Sequence, residues 1–399
     1  MLEYLFTDAW VPPSSCLAKV YARGSKLAER FHSELHDARV KAFNSSLLLF
    51  ETLARARGLS GWAKIIARNR WFQRKVVSFL CSQLSTINYQ PILLSYSYTA
   101  LEPFRYAKAL GWKTLLVQID PGPEEEAIVA DEAARVPELA GAWQPAPAEY
   151  WAFWREECKL ADRIIVNSQW SREGLICGGV PGDKLSVIPL AYETPEVTGQ
   201  DSAAFAEAPA AKEVGSTRRY PAQFTPERPM RLLFLGQINL RKGVARLLQA
   251  AQILRDEPVE FWMVGPVEIA NASTIGDAGR VKWFGPVTRK QAAEYYRSAD
   301  VFILPTLSDG FAITQLEAQA YGLPVIASRR CGEVVQHNVN GLLLDDPSAE
   351  AIESAIRFCL ENPNELARFS RCSTVGESYS VAHLGERLFA VAPITQRVS

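Results

Sequence analysis

The chain has 399 residues, of which 48% are hydrophobic and 22% are charged, and its formal net charge is −1. This length exceeds what one hydrophobic core usually supports, so we expect two domains of an ordinary soluble, globular kind. No stretch reaches the ~18 to 20 consecutive apolar residues that a membrane span needs. Residues 1–16 lack the basic start and long apolar core of a secretory signal, so we expect a cytoplasmic protein.

Seven cysteines and four histidines are scattered along the chain, and no two cysteines form a C-x-x-C pair. This spacing is typical of reduced thiols and does not fit the ligand patterns of structural metal sites. We therefore predict that the protein holds no metal.

The first half alternates short apolar segments with helical ones, which predicts a parallel sheet covered by helices on both faces. Helices are predicted at 102–110 and 148–161, and Ser168 is positioned to cap a further helix that begins near Gln169. Strands are predicted at 4–6, 47–50, 92–95, 114–119, 163–167 and 185–188.

One region of the first half is strongly basic. Seven Lys and Arg and no acid lie between 55 and 75, within an N-terminal part (1–118) that contains 16 basic and seven acidic residues. Segment 55–80 predicts an amphipathic helix whose basic side chains Lys64, Arg68 and Lys75 turn away from its apolar face. The apolar face is assigned to Trp62, Ile65, Ile66, Phe72, Val76 and Phe79.

Two interpretations of this helix remain. It contacts an anionic membrane surface or guides an anionic or lipid-linked acceptor, or it is a domain helix with a solvated basic face. The second is favoured because core packing explains most amphipathic helices.

Residues 193–229 differ in character from their surroundings, with five prolines, many alanines and no apolar periodicity. They predict an interdomain linker or a surface insertion. The domains are therefore placed at 1–192 and 230–379, with a C-terminal helix at about 380–399 that packs back on the first domain.

After the linker the alternation of strands and helices resumes. Strands are predicted at 231–235, 260–264 and 281–284, followed by a helix at 289–298. Two further helices have one apolar face each, and Ser348 caps the second. These faces consist of Val244, Leu247, Leu248 and Ala251, and of Ile352, Ile356 and Cys359.

The stretch 298–328 contains the clearest functional pattern. An apolar strand at 301–304 is followed by a loop, a helix at 314–321 and a second strand at 325–327, which together form a βαβ unit. Ligands of such units bind where the strand ends and the helix begins. Asp309 and Glu317 bracket that junction.

The chemistry of this junction suits a phosphate and a diol. Free N–H groups and the helix dipole favour a phosphate beyond the strand end, and Gly310 lets it approach the backbone. Glu317 would repel a phosphate but can accept two hydrogen bonds from a diol. The expected ligand is a nucleotide or a nucleotide sugar.

The second half resembles the C-terminal domain of the retaining glycosyltransferases of family 4, which have the GT-B fold of two facing Rossmann-like domains with an interdomain cleft. In the first half, segment 161–193 resembles the last βαβ passage of the family's first domain. The motifs that carry the resemblance are LLFLGQINLRKG (232–243), MVGP (263–266), VKWFGPV (281–287), the stretch 299–328 and NGLLLDD (340–346).

The resemblance implies roles for individual residues. It implies that Glu317 binds the nucleotide ribose and that Asp309, with the amides from Gly310 to Ala312, holds the sugar and the diphosphate. Lys242 matches the family's lysine. The remaining implied donor contacts are Gly236, Gln237, Gly265, Phe311 and Ile313, with the base near Trp283 and Phe284.

Three positions depart from the family pattern. Asp309 stands where Glu is usual, and Gln237 replaces an Arg, so we propose that Arg241 supplies the missing positive charge. The family's first-domain His is absent from 118–123, where either Asp120 takes its place or the role is missing.

The sequence thus predicts a metal-independent, retaining glycosyltransferase that needs no cofactor and uses a nucleotide-diphosphate sugar as co-substrate. The acceptor is a glycan, a lipid-linked or a small-molecule hydroxyl, and no nucleic acid is involved. Catalysis would be mainly electrostatic, through Lys242, Arg241 and the helix N-terminus. A catalytically weak nucleotide-sugar-binding protein is the alternative; an epimerase or a phosphorylase is disfavoured by the motif order.

Overall fold

The fold is described from a computed structural model for residues 2–11, 35, 38–83, 91–193, 218–271 and 280–392. The chain divides into two compact units. The N-terminal unit comprises Met1–Leu116 and Ala146–Asp162, and the C-terminal unit comprises Val117–Pro145 and Arg163–Ser399. This division by compactness does not test the predicted functional boundaries at 192 and 230, which stay a prediction.

Twelve strands lie in the described part of the chain. They form sheets in the orders β1-β2, β3-β4-β5-β6 and β12-β11-β10-β7-β8-β9. Their bounds are β1 Tyr4–Thr7, β2 Arg39–Ala42, β3 Ile92–Tyr96, β4 Lys113–Gln118, β5 Arg163–Val166, β6 Leu185–Val187, β7 Met230–Leu235, β8 Val259–Val264, β9 Val281–Gly285, β10 Val301–Leu304, β11 Val325–Ser328 and β12 Gly341–Leu344.

Helices alternate with these strands, as the sequence predicts. The described α-helices are α1 Asn44–Ala56, α2 Gly61–Gln83, α3 Leu101–Ala109, α4 Pro123–Arg135, α5 Pro137–Ala140, α6 Ala148–Leu160, α7 Gln169–Cys177, α8 Val244–Ile253, α9 Arg289–Ser298, α10 Thr314–Ala320, α11 Ala349–Glu361, α12 Pro363–Cys372 and α13 Val381–Val391.

The predicted strand at 47–50 is wrong, because these residues lie within helix α1. Leu47 is buried whereas Leu48 and Leu49 are 45% and 61% exposed, which is the burial pattern of a helix. A run of four apolar residues does not distinguish strand from helix, and leucine is a good helix former. The strand that pairs with β1 in parallel is instead β2, which the sequence did not indicate.

The predicted helix at 55–80 is interrupted at 57–60: Arg55 lies in α1, and the basic stretch from Gly61 onward forms helix α2 of the N-terminal unit. Ile66 and Val76 are buried as predicted, but Ile65 is 42% exposed and does not lie on the apolar face. Lys64 pairs with Glu51 at 2.8 Å, and Arg68 pairs with Asp8. These ion pairs agree with a domain helix, and the membrane contact stays a prediction. In the described residues, no helix is both long and apolar enough to cross a membrane.

The C-terminal unit is built on the six-stranded sheet, in which β7 pairs with β8 and with β10 in parallel register. The chain runs from β7 outward through β8 to β9 and then returns to the opposite side of β7 as β10. The strand order therefore reverses between β7 and β10. In open α/β sheets this switch point, at the carboxyl ends of the strands, is where ligands bind.

Buried strands and amphipathic helices form the core of this unit. Strands β10 and β11 are fully buried, as expected for the middle of a sheet covered on both faces. The predicted caps are confirmed, since the hydroxyl of Ser168 accepts from the amide of Ser171, and that of Ser348 from the amide of Ala351. The predicted apolar faces of α8 and α11 are also buried.

The described end of the predicted linker is anchored to the C-terminal unit, while 194–217 lie outside the described residues. Arg218 donates to the carbonyl oxygen of Tyr321 at 3.1 Å. Arg228 forms two hydrogen bonds, of 2.8 and 2.6 Å, with the buried Asp300 carboxylate. Residues 218–229 are therefore a structural part of this unit.

One glycine brings the turn after β7 against the end of β10. Gly243 has a φ of 72°, and a Cβ built on it would lie 1.9 Å from the carbonyl oxygen of Pro305. Only a residue without a side chain allows this approach. Gly285 has a similar φ of 68°, but a Cβ there would meet nothing within 4 Å.

We expect Gly243→Ala to destabilise the protein more than Gly285→Ala. Both variants carry the left-handed strain of about 1–2 kcal/mol. Only Gly243→Ala adds a backbone clash, which costs about 1–3 kcal/mol more. Urea unfolding of the two variants measures the difference, and equal stabilities would contradict the described packing.

Candidate functional site

The candidate site lies at the switch point, on the loops that follow β7 and β10. After β7 the loop is held beside the loop after β8, since Ile238 donates its amide to the carbonyl of Pro266 at 2.9 Å. Leu240–Lys242 then form a 3-10 turn, and the side chain of Asn239 caps it by accepting from the amide of Lys242. This turn is called the basic turn below.

Backbone hydrogen bonds fasten the basic turn to the loop after β10. The carbonyl oxygen of Arg241 accepts from the amide of Leu307 at 2.9 Å and from the hydroxyl of Thr306 at 3.0 Å. Ser328, at the end of β11, donates to the carbonyl of Thr306 at 2.6 Å. The turn that carries two cations is thereby fixed against the loop that carries Asp309.

Asp309 is the centre of the site's charges and is 8% exposed. Its carboxylate forms a hydrogen-bonded ion pair with the Nζ of Lys242 and lies 3.6 Å from the Nη1 of Arg241. Burial works to raise the pKa of this carboxyl, but the charges of Lys242 and Arg241 outweigh it and hold the pKa below its usual range. Asp309 is therefore ionised at neutral pH.

A second carboxyl group faces the same guanidinium. Glu125, in the first turn of α4, lies with its Oε2 3.7 Å from the Nη1 of Arg241. The hydroxyl of Ser308 donates to this carboxyl at 2.9 Å, and the indole of Trp170 donates to the same hydroxyl at 3.0 Å. Burial raises the pKa of Glu125 to about 7, while the charge of Arg241 opposes that rise. Arg241, Lys242, Asp309 and Glu125 are called the charge cluster below.

The loop beyond Asp309 passes very close to another part of the unit. A Cβ on Gly310 would lie 1.9 Å from the carbonyl oxygen of Ile119, so only glycine fits there. The amide of Ala312 donates to the carbonyl of Cys331 at 3.0 Å. A ligand phosphate would have to replace this partner to use the Ala312 amide.

Glu317 projects from helix α10, which begins just after Ile313. The hydroxyl of Tyr296 donates to its Oε2 at 2.7 Å, and the side chain is half-buried. Burial, the Glu317 charge and this hydrogen bond raise the pKa of Tyr296 well above its usual value. The Glu317 carboxylate is therefore oriented and retains capacity to accept further hydrogen bonds.

The other predicted site residues lie in separate environments. Gln237 is exposed after β7, and the amide of Gly236 donates to the carbonyl of Val264 at 3.0 Å. The amide of Gly265 donates to the carbonyl of Gly285 at 2.8 Å. At the end of β9, Trp283 is half-buried and Phe284 packs against Tyr295 with ring centroids 5.0 Å apart.

Asp120 holds a turn at the beginning of α4. Its Oδ1 accepts from the amide of Gly122 at 2.9 Å and from the side-chain amide of Gln118 at 2.7 Å. Its negative charge still acts on Glu125 and on Arg241. Asp120 thus lies beside the charge cluster, but its proposed catalytic role stays a prediction.

Sequence reasoning missed Glu125 and Ser308. Glu125 is the middle of three consecutive glutamates that follow Pro123, a pattern typical of acids that stabilise a helix N-terminus. Nothing in that pattern indicates that the middle carboxylate turns toward Arg241. Across the described ranges, no group of His, Cys, Asp and Glu is arranged to hold a metal ion.

Comparison of the sequence with known proteins identifies similar glycosyltransferases. Residues 218–373, less than half of the chain, match the family model of the glycosyl transferases group 1. D-inositol 3-phosphate glycosyltransferases are among the similar proteins. The one from Xylanimonas cellulosilytica is 38% identical over 30% of this chain and 32% of its own length, and that from Kineococcus radiotolerans is 28% identical over 56% and 55%.

A structural likeness extends over nearly the whole chain. HepE from Anabaena, described in complex with UDP, superposes with a TM-score of 0.59 at 16% identity, over 98% of this chain and 99% of HepE. The likeness shows the fold, and it confirms the predicted α/β class with two Rossmann-like domains of the GT-B type. The matches to curated relatives cover about a third to a half of those proteins' lengths.

We expect Lys242→Met to destabilise the protein, because it leaves the buried Asp309 charge without its principal partner. Loss of one member of a buried pair typically costs about 3–5 kcal/mol. The double variant Lys242→Met/Asp309→Asn removes both charges and should recover most of this loss. Urea unfolding at neutral pH measures the free energy of unfolding of the three proteins.

The pH dependence of the free energy of unfolding provides the control for the predicted effect of Lys242→Met. The pKa of Asp309 is lowered by folding, so its ionised form stabilises the protein above its unfolded pKa of about 3.9, and this contribution is lost as the pH falls below that value. Wild type should lose more stability on acidification than the double variant. Additive effects of the two substitutions would show that the pair is not coupled.

Proposed function

We propose that the protein is a glycosyltransferase that moves a sugar from a nucleotide-diphosphate sugar to an acceptor hydroxyl with retention of configuration. The observation that carries the proposal is the placement of Arg241 and Lys242 on one turn at the switch point, within a stretch that matches the group 1 glycosyl transferases. In this fold, that edge of the sheet is the ligand-binding edge.

The basic turn suits a diphosphate. Two fixed cations in a largely buried site stabilise the charge that develops on a departing diphosphate, and they need no reorganisation during the reaction. Burial would lower the pKa of Arg241, but Asp309 and Glu125 raise it, so the guanidinium stays charged. With no other base assigned, the departing phosphate accepts the proton of the acceptor hydroxyl.

The remaining predicted contacts fit the nucleoside. Glu317, oriented by Tyr296, is assigned to the ribose hydroxyls. The base contacts are assigned to the backbone near Trp283 and Phe284, at the end of β9. Because HepE is described in complexes with UDP and UDP-glucose, uridine-diphosphate sugars are the first donors to test.

The acceptor is assigned only by class. A glycan, a lipid-linked or a small-molecule hydroxyl fits the proposed reaction, and no metal or other cofactor is assigned to it. Contact of the 55–80 segment with an anionic membrane would bring the protein to the surface that holds a lipid-linked acceptor. Pairing of Lys64 and Arg68 with Glu51 and Asp8 leaves less free positive charge for that contact.

A nucleotide-sugar-binding protein with weak catalysis is the second candidate. It is favoured by Asp120, which stands near the position of the missing histidine but directs its carboxylate to Gly122 and Gln118. Binding of a nucleotide sugar without transfer or hydrolysis, across a broad panel of acceptors, would support this candidate.

We expect Glu317→Ala to lower kcat/KM for the donor strongly. Loss of hydrogen bonds to a charged group costs about 1.5–3 kcal/mol, which corresponds to roughly 10- to 150-fold. Release of nucleoside diphosphate from a panel of nucleotide sugars measures the effect. Glu353→Ala is the matched control, because Glu353 pairs with Arg357 on helix α11 and not with a site residue, and it should keep wild-type activity. Full activity of Glu317→Ala would contradict the proposed donor site.

We also expect the transferred sugar to retain its anomeric configuration. Proton NMR of the product formed from an α-linked donor should show an α-linked sugar from the first turnovers. A β-linked product would show inversion, and it would contradict the mechanism while leaving the transfer activity in place.

A further inference from the structure

Glu125 shares Arg241, one of the two cations of the site, with Asp309. The guanidinium of Arg241 lies 3.7 Å from Glu125 on one side and 3.6 Å from Asp309 on the other. Asp309 is also held by Lys242, a second cation, whereas Glu125 accepts a hydrogen bond from the uncharged hydroxyl of Ser308. Of the two carboxylates, Glu125 therefore has the weaker ionic attachment.

A diphosphate and the Glu125 carboxylate compete for the same donor groups. Arg241 presents its N–H groups in a fixed fork, and phosphate oxygens and carboxylate oxygens bind that fork in the same manner. A bound diphosphate would also place further negative charge beside Glu125. Repulsion of this kind disfavours the ionised form of a partly desolvated carboxyl group.

On balance, the groups around Glu125 already raise the pKa of its carboxyl group. Burial is the main cause that raises its pKa to about 7, and the charges of Asp120 and Asp309 add to the rise. Arg241 and the Ser308 hydroxyl oppose it. These groups come from the loop before α4, the basic turn and the loop after β10, while α7 contributes the indole of Trp170 through Ser308. The negative charge of a diphosphate beside Glu125 would act in the same direction as burial, Asp120 and Asp309.

We propose that Glu125 is a proton-coupled placeholder in the diphosphate site: it holds Arg241 while the site is empty and takes up a proton when a diphosphate replaces it. The inference rests on the proposed function, since it assumes that the diphosphate of the donor binds Arg241. Glu125 acts through Arg241 and is a positioning residue. Its carboxylate keeps the guanidinium in place without a ligand, and its protonation removes a charge that would oppose the donor.

The proposal predicts that donor binding weakens as the pH rises. Above the pKa of Glu125, a bound proton must be taken from solution, so the Kd increases by up to about tenfold per pH unit. UDP-glucose is a suitable probe because both of its phosphates are esterified, so neither has the second ionisation near about pH 6 that a phosphate monoester shows. Calorimetric titration of the full chain in buffers of different ionisation enthalpy measures both the Kd and the protons taken up.

A matched pair of variants separates this effect from others. Glu125→Gln should bind the donor at pH 8 about as tightly as wild type does at pH 6, and should take up no proton. Glu124→Gln, a substitution in the same helical turn, should retain the wild-type pH dependence. Proton uptake by the wild-type protein tests the proposal even if Glu125→Gln fails to fold.

Each outcome distinguishes this inference from the proposed function. Binding with a pH-independent Kd and no proton uptake would overturn the role of Glu125 and leave the proposed function intact. Weaker binding by Glu125→Gln at every pH would show that the carboxylate is needed only to hold Arg241, and it would also overturn the proposal. If UDP-glucose, GDP-glucose and ADP-glucose all fail to bind wild type, the proposed function fails and the inference fails with it.

Discussion

The ion pair between Lys242 and Asp309 is the interaction on which the rest of the site depends. It is buried, it outweighs the rise that burial causes in the pKa of the Asp309 carboxyl group, and it joins the loops that follow β7 and β10. A buried pair gains stability only if its geometry is fixed and its remaining hydrogen-bonding groups are satisfied. Here the carbonyl of Arg241 fixes the geometry by accepting from Leu307 and Thr306. The same arrangement places the guanidinium of Arg241 between Glu125 and Asp309.

The topology of the sheet explains why such a pair can form at all. Strand β10 returns to the opposite side of β7, so two loops that are distant in sequence leave the sheet side by side. Gly243 and Gly310 then allow the backbone to approach closer than any side chain would permit. The position of the cations is thus set by strand order and by two glycines, and the donor chemistry proposed for the site follows from that position.

Much of this could be predicted from the sequence. Strands β7 to β11 are short, apolar and bounded by Gly or Pro, and Arg241, Lys242 and Asp309 belong to motifs with fixed places in a βαβ unit. Periodicity failed at 47–50, where an apolar run of four residues fits helix and strand equally well. The contact of Glu125 with Arg241 could not be predicted either. The local sequence pattern shows an acid at a helix start but not the guanidinium that tertiary packing brings to it.

We expect the basic turn to bind the diphosphate of a nucleotide. A crystal structure of the protein with bound UDP tests this binding most directly. Phosphate oxygens should lie within hydrogen-bond distance of Arg241 or Lys242, with the ribose hydroxyls on Glu317. A nucleotide bound elsewhere, with the contacts of Arg241 to Glu125 and Asp309 unchanged, would contradict it.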